Sequence, residues 1–155
     1  NWTARRLEEA NAYAVAHGLR GFCASQPEWC LGHPNMAVRD PTTHFLDDDD
    51  RRRHAASKIP IVPYTSTAGG YFATGGQAAQ AGFDNEVSRA RLRRAEQLAA
   101  ELGCTPNQVA LAFLLIHPFP VIPILGTKKV EHLADAVGAV ELTLTPEQID
   151  RLSDG

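Results

Sequence analysis

The stretch VIPILGT, residues 121–127, decides the fold of this chain. Its first five residues form an apolar run of strand length, and a glycine and a threonine end that run. The next ten residues, KKVEHLADAV, place Leu133, Ala136 and Val137 along one side of a helix. A strand that passes through a short turn into a helix is the building block of α/β folds. The stretch therefore predicts a β/α unit.

Two earlier apolar runs, Gly21–Ser25 and Ile59–Tyr64, are also candidate strands, and helical patterns separate the three runs. Pro60 and Pro63 count against a central strand because proline cannot donate a ladder hydrogen bond. The apolar content of the run and its position between helices favour a strand nevertheless. Strands that alternate with helices predict an α/β fold around a parallel sheet. Three parallel strands cannot close a barrel and leave two unpaired edges, which indicates a missing half.

Capping residues mark the helix starts. Thr3 is a candidate N-cap for a first helix that stops near Gly18. Thr105 and Thr145 each begin the pattern Thr-Pro-x-Gln, which predicts a capping box with proline at the first helical position. One more helix is predicted from an apolar stripe, which consists of Leu92, Ala95, Ala99 and Leu102.

Two segments without an apolar pattern are predicted to be loops. Residues 31–45 are rich in Gly, Pro, Asn, Asp and Thr. The stretch from Thr65 to about Asn85 contains two Gly-Gly pairs, and a loop of about twenty residues in a compact domain tends to be functional or mobile. Four aromatic residues are candidates for either a pocket lining or simple packing: Trp2, Trp29, Tyr71 and Phe72.

The most charged segment joins Asp47–Asp50 to Arg51–Arg53. Carboxylates in the first turn of a helix and guanidinium groups further along complement the helix dipole. The run lacks the alternating spacing and the glycine of a calcium-binding loop. The pattern therefore predicts a solvated helix start.

The three cysteines, Cys23, Cys30 and Cys104, predict no disulfide framework because their number is odd and no secretion signal is present. A zinc site that combines the first two with His33 and His17 would lack the short Cys-x-x-Cys pair of structural sites. Cys23 lies in an apolar run, where a free cysteine is typically a small core residue. We therefore predict no metal site.

Size and charge exclude several classes of function. The chain has 155 residues, of which 44% are hydrophobic and 21% charged, as is typical of one soluble globular domain. Its net charge of −3 offers no basic face to nucleic acid or to an anionic membrane, and no apolar run approaches the length of a membrane span. We therefore expect a cytoplasmic protein with neither nucleic-acid nor membrane partners.

Small polar residues follow each candidate strand, and in β/α barrels the working face lies at these carboxyl ends. A glycine and threonine before a helix, with lysines beside them, suit a phosphate group, although the same pattern is more often a simple turn. Neither a Gly-x-Gly-x-x-Gly fingerprint nor a P-loop is present, so the sequence indicates no Rossmann site and no nucleoside triphosphate hydrolysis.

Taken together, these segments resemble the aldo-keto reductase family. Asn1-Trp2 is similar to the segment that closes the family's fifth strand, and residues 24–27 and 62–66 are similar to the sixth and seventh strands. Residues 121–133 resemble the eighth strand with its cofactor helix, and LTLTPEQ at 142–148 resembles the C-terminal segment. The resemblance covers all 155 residues in order. It implies a (β/α)8 TIM-barrel type of α/β fold, of which this chain is the C-terminal half only, with about three parallel strands and flanking helices.

The resemblance also implies that the chain binds NADP(H). Asn1 and Gln26 match the pair that hydrogen-bonds the nicotinamide carboxamide, and Tyr64 matches the aromatic residue that stacks on the nicotinamide ring. The pyrophosphate is expected at Thr65, Ser66 and Thr67.

The adenosine end of the cofactor is expected at Gly126, Thr127, Lys128, His132 and Asp135. Lys128 falls near the 2′-phosphate and favours NADPH over NADH. The family often has an asparagine directly after the position of Asp135, and this chain has Ala136 there. This departure puts one adenine contact in doubt.

The family's catalytic Asp, Tyr, Lys and His lie on earlier strands, and nothing in this chain matches them. Two interpretations stay open. The chain is the cofactor-binding half of an NAD(P)H-dependent oxidoreductase that reduces small carbonyl substrates, and it needs the missing N-terminal half of the barrel. Alternatively, it is a non-catalytic cofactor-sensing or assembly module, which can cover its open edges by self-association. An aldolase-like enzyme is disfavoured because no candidate strand contains a Schiff-base lysine.

Overall fold

The structure, a computed structural model, describes residues 1–38 and 40–153. Arg39, in the predicted loop at 31–45, and the last two residues of the predicted domain lie outside the described residues. Short 3-10 helices occur at Met36–Val38, Ala68–Gly70, Phe72–Thr74 and Gly138–Glu141. The α-helices of the described ranges are α1 (Ala4–Ala16), α2 (Asp48–Ser57), α3 (Gln80–Phe83), α4 (Glu86–Leu102), α5 (Pro106–Leu115), α6 (Val130–Val137) and α7 (Pro146–Ser153).

Parallel pairing joins the three candidate strands in the predicted order, but only through isolated bridges. Ser25 pairs with Ile61, and Ile61 pairs with Val121. Glu28 pairs with Tyr64 on one side and with Phe45 on the other. The first segment therefore pairs over residues 25–28, not over the predicted Gly21–Ser25, and Phe45 adds a fourth segment within the predicted loop.

Proline explains why the pairing is so sparse. Because proline has no N–H group, it serves a sheet only through its carbonyl oxygen. Ile61 N, for example, donates to Pro120 O at 2.9 Å. Three more bonds end on a proline carbonyl in the same way: Ser25 N to Pro60 O, Tyr64 N to Pro27 O and Ile124 N to Pro63 O. A run with internal prolines therefore still pairs with a neighbour on each side.

Helix α5 lies at the centre of the packing, because every residue from 109 to 114 is buried. It contacts both α4 and α6. Trp29 and Ile61 from the sheet segments belong to the same core. No single helix in the described ranges is long and apolar enough to span a membrane, and α4 and α5 pass that test only together, as a pair bent by 97°.

The predicted helix starts are confirmed. Thr3 Oγ1 accepts a hydrogen bond from Arg6 N, and the Thr105–Gln108 and Thr145–Gln148 pairs exchange the bonds of two capping boxes. The stripe on α4 is right except at Leu102, which is exposed in the last turn before the left-handed cap at Gly103. Leu98 is buried in its place.

The aspartate run is only partly solvated, which corrects the prediction for it. Asp47 caps α2 and forms a capping box with Asp50. Asp50 is only 2% exposed, and its Oδ1 accepts a hydrogen bond from Ala4 N at 2.6 Å. Its Oδ2 contacts His44 Nε2. The third carboxylate of the first turn therefore ties α2 to the start of α1.

The stretch from Thr65 to Asn85 is folded, not the long loop that its glycines predict. Two 3-10 helices and α3 occupy much of it. Tyr71 and Phe72 are buried because their rings pack into the core beside each other, 5.7 Å apart. Trp29 is buried as well, whereas Trp2 is exposed.

Candidate functional site

A cavity of about 890 Å³ opens where the second and third sheet segments end. Its volume lies in the range of small-molecule sites. Four parts of the chain supply its walls: residues within 65–78, 105–107, 124–129 and 132–136. Eight of the eleven residues predicted to bind the cofactor line this cavity: Thr65, Ser66, Thr67, Gly126, Thr127, Lys128, His132 and Asp135.

The first wall is a turn with an unusual backbone. Thr65 and Ala68 have φ angles of 55° and 51°, a conformation that non-glycine residues adopt at a cost and that is concentrated at ligand sites. Ala68 N donates to Thr65 O at 2.8 Å, so this backbone closes a tight turn at the edge of the cavity. Ser66 is buried, and its hydroxyl donates to Ile124 O at 2.5 Å. The Ser66 hydroxyl therefore holds two sheet segments together.

The second wall is the start of α6. Thr127 Oγ1 bonds the backbone N and O of Lys129, so this hydroxyl closes a turn. Among helices of eight or more residues in the described part of the chain, α6 is the one without a side-chain N-cap. Its first-turn N–H groups and the positive end of its dipole are therefore open, with the exposed Lys128 and Lys129 beside them. This combination attracts an anion such as a phosphate.

The third wall joins α5 to α6 through Asp135. Thr105 Oγ1 donates to Asp135 Oδ1 at 2.7 Å, and Asn107 Nδ2 donates to Oδ2 at 2.8 Å. Gln108 Nε2 donates to the backbone oxygen of Asp135 at 2.9 Å. Both carboxylate oxygens thus have protein donors. Burial and the nearby Asp135 carboxylate raise the pKa of the Cys104 thiol, so this cysteine is not a reactive thiolate.

Asn1, Gln26 and Tyr64, the three residues predicted at the nicotinamide, lie outside the cavity lining. The Tyr64 hydroxyl donates to Asn1 Oδ1 at 2.7 Å, so the structure brings these two together. The bond uses Asn1 Oδ1 as an acceptor, and an amide side chain also carries two N–H donors. Gln26 is exposed directly after Ser25.

Sequence reasoning missed the contribution of α5 to the cavity. Thr105 and Asn107 line it, although the Thr-Pro-Asn-Gln pattern indicates only a helix start. One signal was present: Asn107 is a polar residue in the first turn of a helix that is otherwise apolar up to Leu115 except for Gln108. An apolar helix is typically buried, and a buried polar side chain that does not cap its own helix needs a hydrogen-bond partner on another element.

Among the residues that the structure describes, the candidate zinc ligands Cys23, Cys30, His33 and His17 do not form a cluster. Cys23 is exposed, contrary to the expected core position, and Cys30 is buried. Burial raises the pKa of the Cys30 thiol to about 12, which disfavours a thiolate ligand. In the described ranges, the side chains close enough to share a cation are His44, Asp47 and Asp50. Their mutual hydrogen bonds and the capping box account for that cluster.

Comparison with known proteins gives consistent matches. The sequence model of the Aldo/keto reductase family matches residues 1–154. Norsolorinic acid reductase B of Aspergillus parasiticus is 31% identical over 96% of this chain, which corresponds to 39% of that protein. A thermostable aldo-keto reductase, Tm1743, solved with the inhibitor epalrestat, matches with a TM-score of 0.62 and 23% identity over 99% of this chain and 45% of that one. The family match and the structural likeness imply a TIM-barrel fold, and the chain spans less than half the length of these two relatives.

Proposed function

The chain belongs to the aldo/keto reductase family, and from that premise we propose that it is the C-terminal, cofactor-binding half of an NADP(H)-dependent reductase of small carbonyl compounds. One observation carries this proposal. The cavity gathers eight predicted cofactor residues from separate parts of the sequence into one site of suitable size. When bound, the cofactor supplies the hydride. The role of this chain is to bind the cofactor and to orient it.

The chemistry of the walls fits a dinucleotide phosphate. Thr65 and Thr67 line the cavity where the pyrophosphate is proposed to bind, and the uncapped start of α6 with Lys128 suits a second, terminal phosphate. Asn1 and Tyr64 lie together at the ends of their segments, where an amide and an aromatic ring can hold a flat carboxamide ring.

The open edges of the fold support the assignment to half of a barrel. Ile122 and Ile124 on the third sheet segment are exposed, and so is a stripe on α6 formed by Val130, Leu133 and Val137. Exposed apolar side chains that recur along a segment or a helix face are typical of interaction sites. In the proposed whole protein, the N-terminal half of the barrel covers these side chains and supplies the catalytic residues.

Complementation tests the proposal directly. We expect the chain, refolded with the N-terminal half of an aldo-keto reductase barrel, to oxidise NADPH in the presence of an aromatic aldehyde. Each half alone serves as the control. Cofactor binding without turnover in a well-folded pair favours the non-catalytic module. A folded pair with neither binding nor turnover excludes both versions of the cofactor proposal.

Replacement of Lys128 by glutamate is expected to weaken NADPH binding by about tenfold or more, since it puts a negative charge where the 2′-phosphate is proposed to bind. NADH is the matched ligand because it lacks that phosphate, and its affinity should change little. Titration of both cofactors by nicotinamide fluorescence measures the two effects. Equal losses for NADPH and NADH would contradict the placement of the 2′-phosphate at Lys128.

A further inference from the structure

A second pocket lies beside the residues that are proposed to hold the nicotinamide. Its volume is about 370 Å³, at the lower end of the range of small-molecule sites. The start of α1 and the segment before α2 form its walls, through residues 1–3, 5, 6, 9 and 41–44. Asn1 joins the pocket to the proposed nicotinamide end, because it lines the pocket and also accepts a bond from the Tyr64 hydroxyl. Apart from Asn1, the proposed cofactor contacts leave this pocket unused.

Arg6 is the charged residue that sets the chemistry of the pocket. Its Cζ atom lies 4.6 Å from the centroid of the Trp2 ring, and this cation–π contact holds the guanidinium at the pocket wall. Among the described residues, no carboxylate forms an ion pair with Arg6. The guanidinium therefore has donors available to a ligand.

The carboxylates near the pocket are already engaged. Three of them have other partners: Glu9 Oε1 lies 3.6 Å from Arg5 Nε, Asp50 accepts a bond from Ala4 N and contacts His44, and Asp40 accepts two bonds from Thr42. The positive charge of Arg6 is thus left without a counter-charge. A guanidinium presents a planar fork of N–H donors, which matches the two oxygens of a carboxylate.

The position of Arg5 and Arg6 in the sequence also points to a ligand. Both lie in the first turn of α1. Positive side chains oppose the helix dipole at that end, so this placement costs stability. Local choices that work against the fold are expected at functional sites.

We propose that this pocket is a substrate subsite in which Arg6 selects carbonyl compounds that carry a carboxylate. The inference rests on the proposed function, because it takes Asn1 to lie at the nicotinamide, where the carbonyl group is reduced. The substrate extends from the reacting carbon past Asn1 to the guanidinium of Arg6. Trp2 is 41% exposed and lines the same pocket, so it gives the uncharged part of the substrate an apolar contact.

Binding to the chain alone tests the subsite without turnover. The probe is 4-(hydroxymethyl)benzoate, the alcohol formed by reduction of 4-formylbenzoate, and its neutral match is 4-(hydroxymethyl)benzamide. We expect the benzoate to bind about tenfold more tightly, because only the benzoate offers a charge to Arg6. The indole N–H resonance of Trp2 reports the titration, and that of the buried Trp29 should stay in place. Arg6→Gln should lower the ratio of the two affinities to about one.

Arg20→Gln is the matched control. It removes the same charge from an exposed position beyond the end of α1 and outside the pocket. Its preference for the benzoate should stay near that of the unmodified chain. Equal affinity of the unmodified chain for the two probes, or an equal loss of preference in both variants, overturns the subsite.

Turnover by the complemented pair separates this inference from the proposed function. We expect the pair to reduce 4-formylbenzoate with a kcat/KM about tenfold above that for 4-formylbenzamide, and Arg6→Gln should remove the difference. A pair that binds NADPH and reduces the two aldehydes equally, or reduces neither, overturns the substrate assignment. A folded pair that neither binds NADPH nor reduces an aldehyde overturns the proposed function instead.

Discussion

Replacement of Asp50 by alanine is expected to lower the free energy of unfolding by about 3 kcal/mol. Asp50 is almost fully buried, and its carboxylate accepts a bond from Ala4 N and contacts His44. Alanine would leave the buried amide of Ala4 without an acceptor and remove half of the capping box at the start of α2. Urea unfolding followed by circular dichroism measures the change.

Asp49 gives the matched control, because it precedes Asp50 directly and carries the same charge. Its bonds go to Arg52 and Arg53 on the surface of α2. Exposed ion pairs contribute little, so Asp49→Ala should cost less than about 0.5 kcal/mol. Similar losses for the two variants would show that Asp50 acts only through the helix dipole and not through its contact with α1.

Acidification is expected to destabilise the chain through His117. Burial, with a smaller effect from Arg51, lowers the pKa of this imidazole from 6.5 to about 4 in the folded chain. The ring lies among Trp29, Phe113 and Phe119, and its buried Nε2 has no partner in the described part of the chain. The fold therefore favours the neutral ring.

The sign of the effect follows from this lowered pKa. The stabilisation that the neutral ring provides is complete above pH 6.5 and is lost progressively as the pH falls towards 4. Because each pH unit in that window removes at most about 1.4 kcal/mol, the loss by pH 4.5 is about 2 kcal/mol. We expect His117→Phe to abolish this part of the loss, since phenylalanine fills the aromatic cluster and does not titrate. Urea unfolding at pH 7.5 and 4.5 measures the difference.

His17 provides the comparison for the pH experiment. It is exposed, and its ring stacks on Tyr13 at the end of α1. His17→Gln should show the same loss between the two pH values as the unmodified chain. If His117→Phe also keeps the full loss, the acid sensitivity belongs to the carboxylates and the role of His117 is wrong.

The sequence predicted the features that depend on neighbouring residues. Thr3 and the two Thr-Pro-x-Gln patterns marked helix starts correctly, because a capping bond closes within four residues. The order of the three sheet segments also follows from the alternation of apolar runs and helices. The position of the first segment did not follow, since its pairing depends on proline carbonyls and on Phe45.

The chain's own sequence thus determined the capped helix starts after Thr3, Thr105 and Thr145, the parallel order of the segments and the polar turn at Gly126–Lys128 that ends the VIPILGT stretch. Only the tertiary structure decided which polar groups are buried. Asp50 and Asn107 lie in helices whose starts are readable locally, but their partners are 46 and 28 residues away. Burial and hydrogen bonding over such separations depend on how the helices pack, and a local pattern does not encode that packing. The candidate site therefore depends on the tertiary structure, which brings α5, α6 and the turn at Thr65–Ala68 around one cavity.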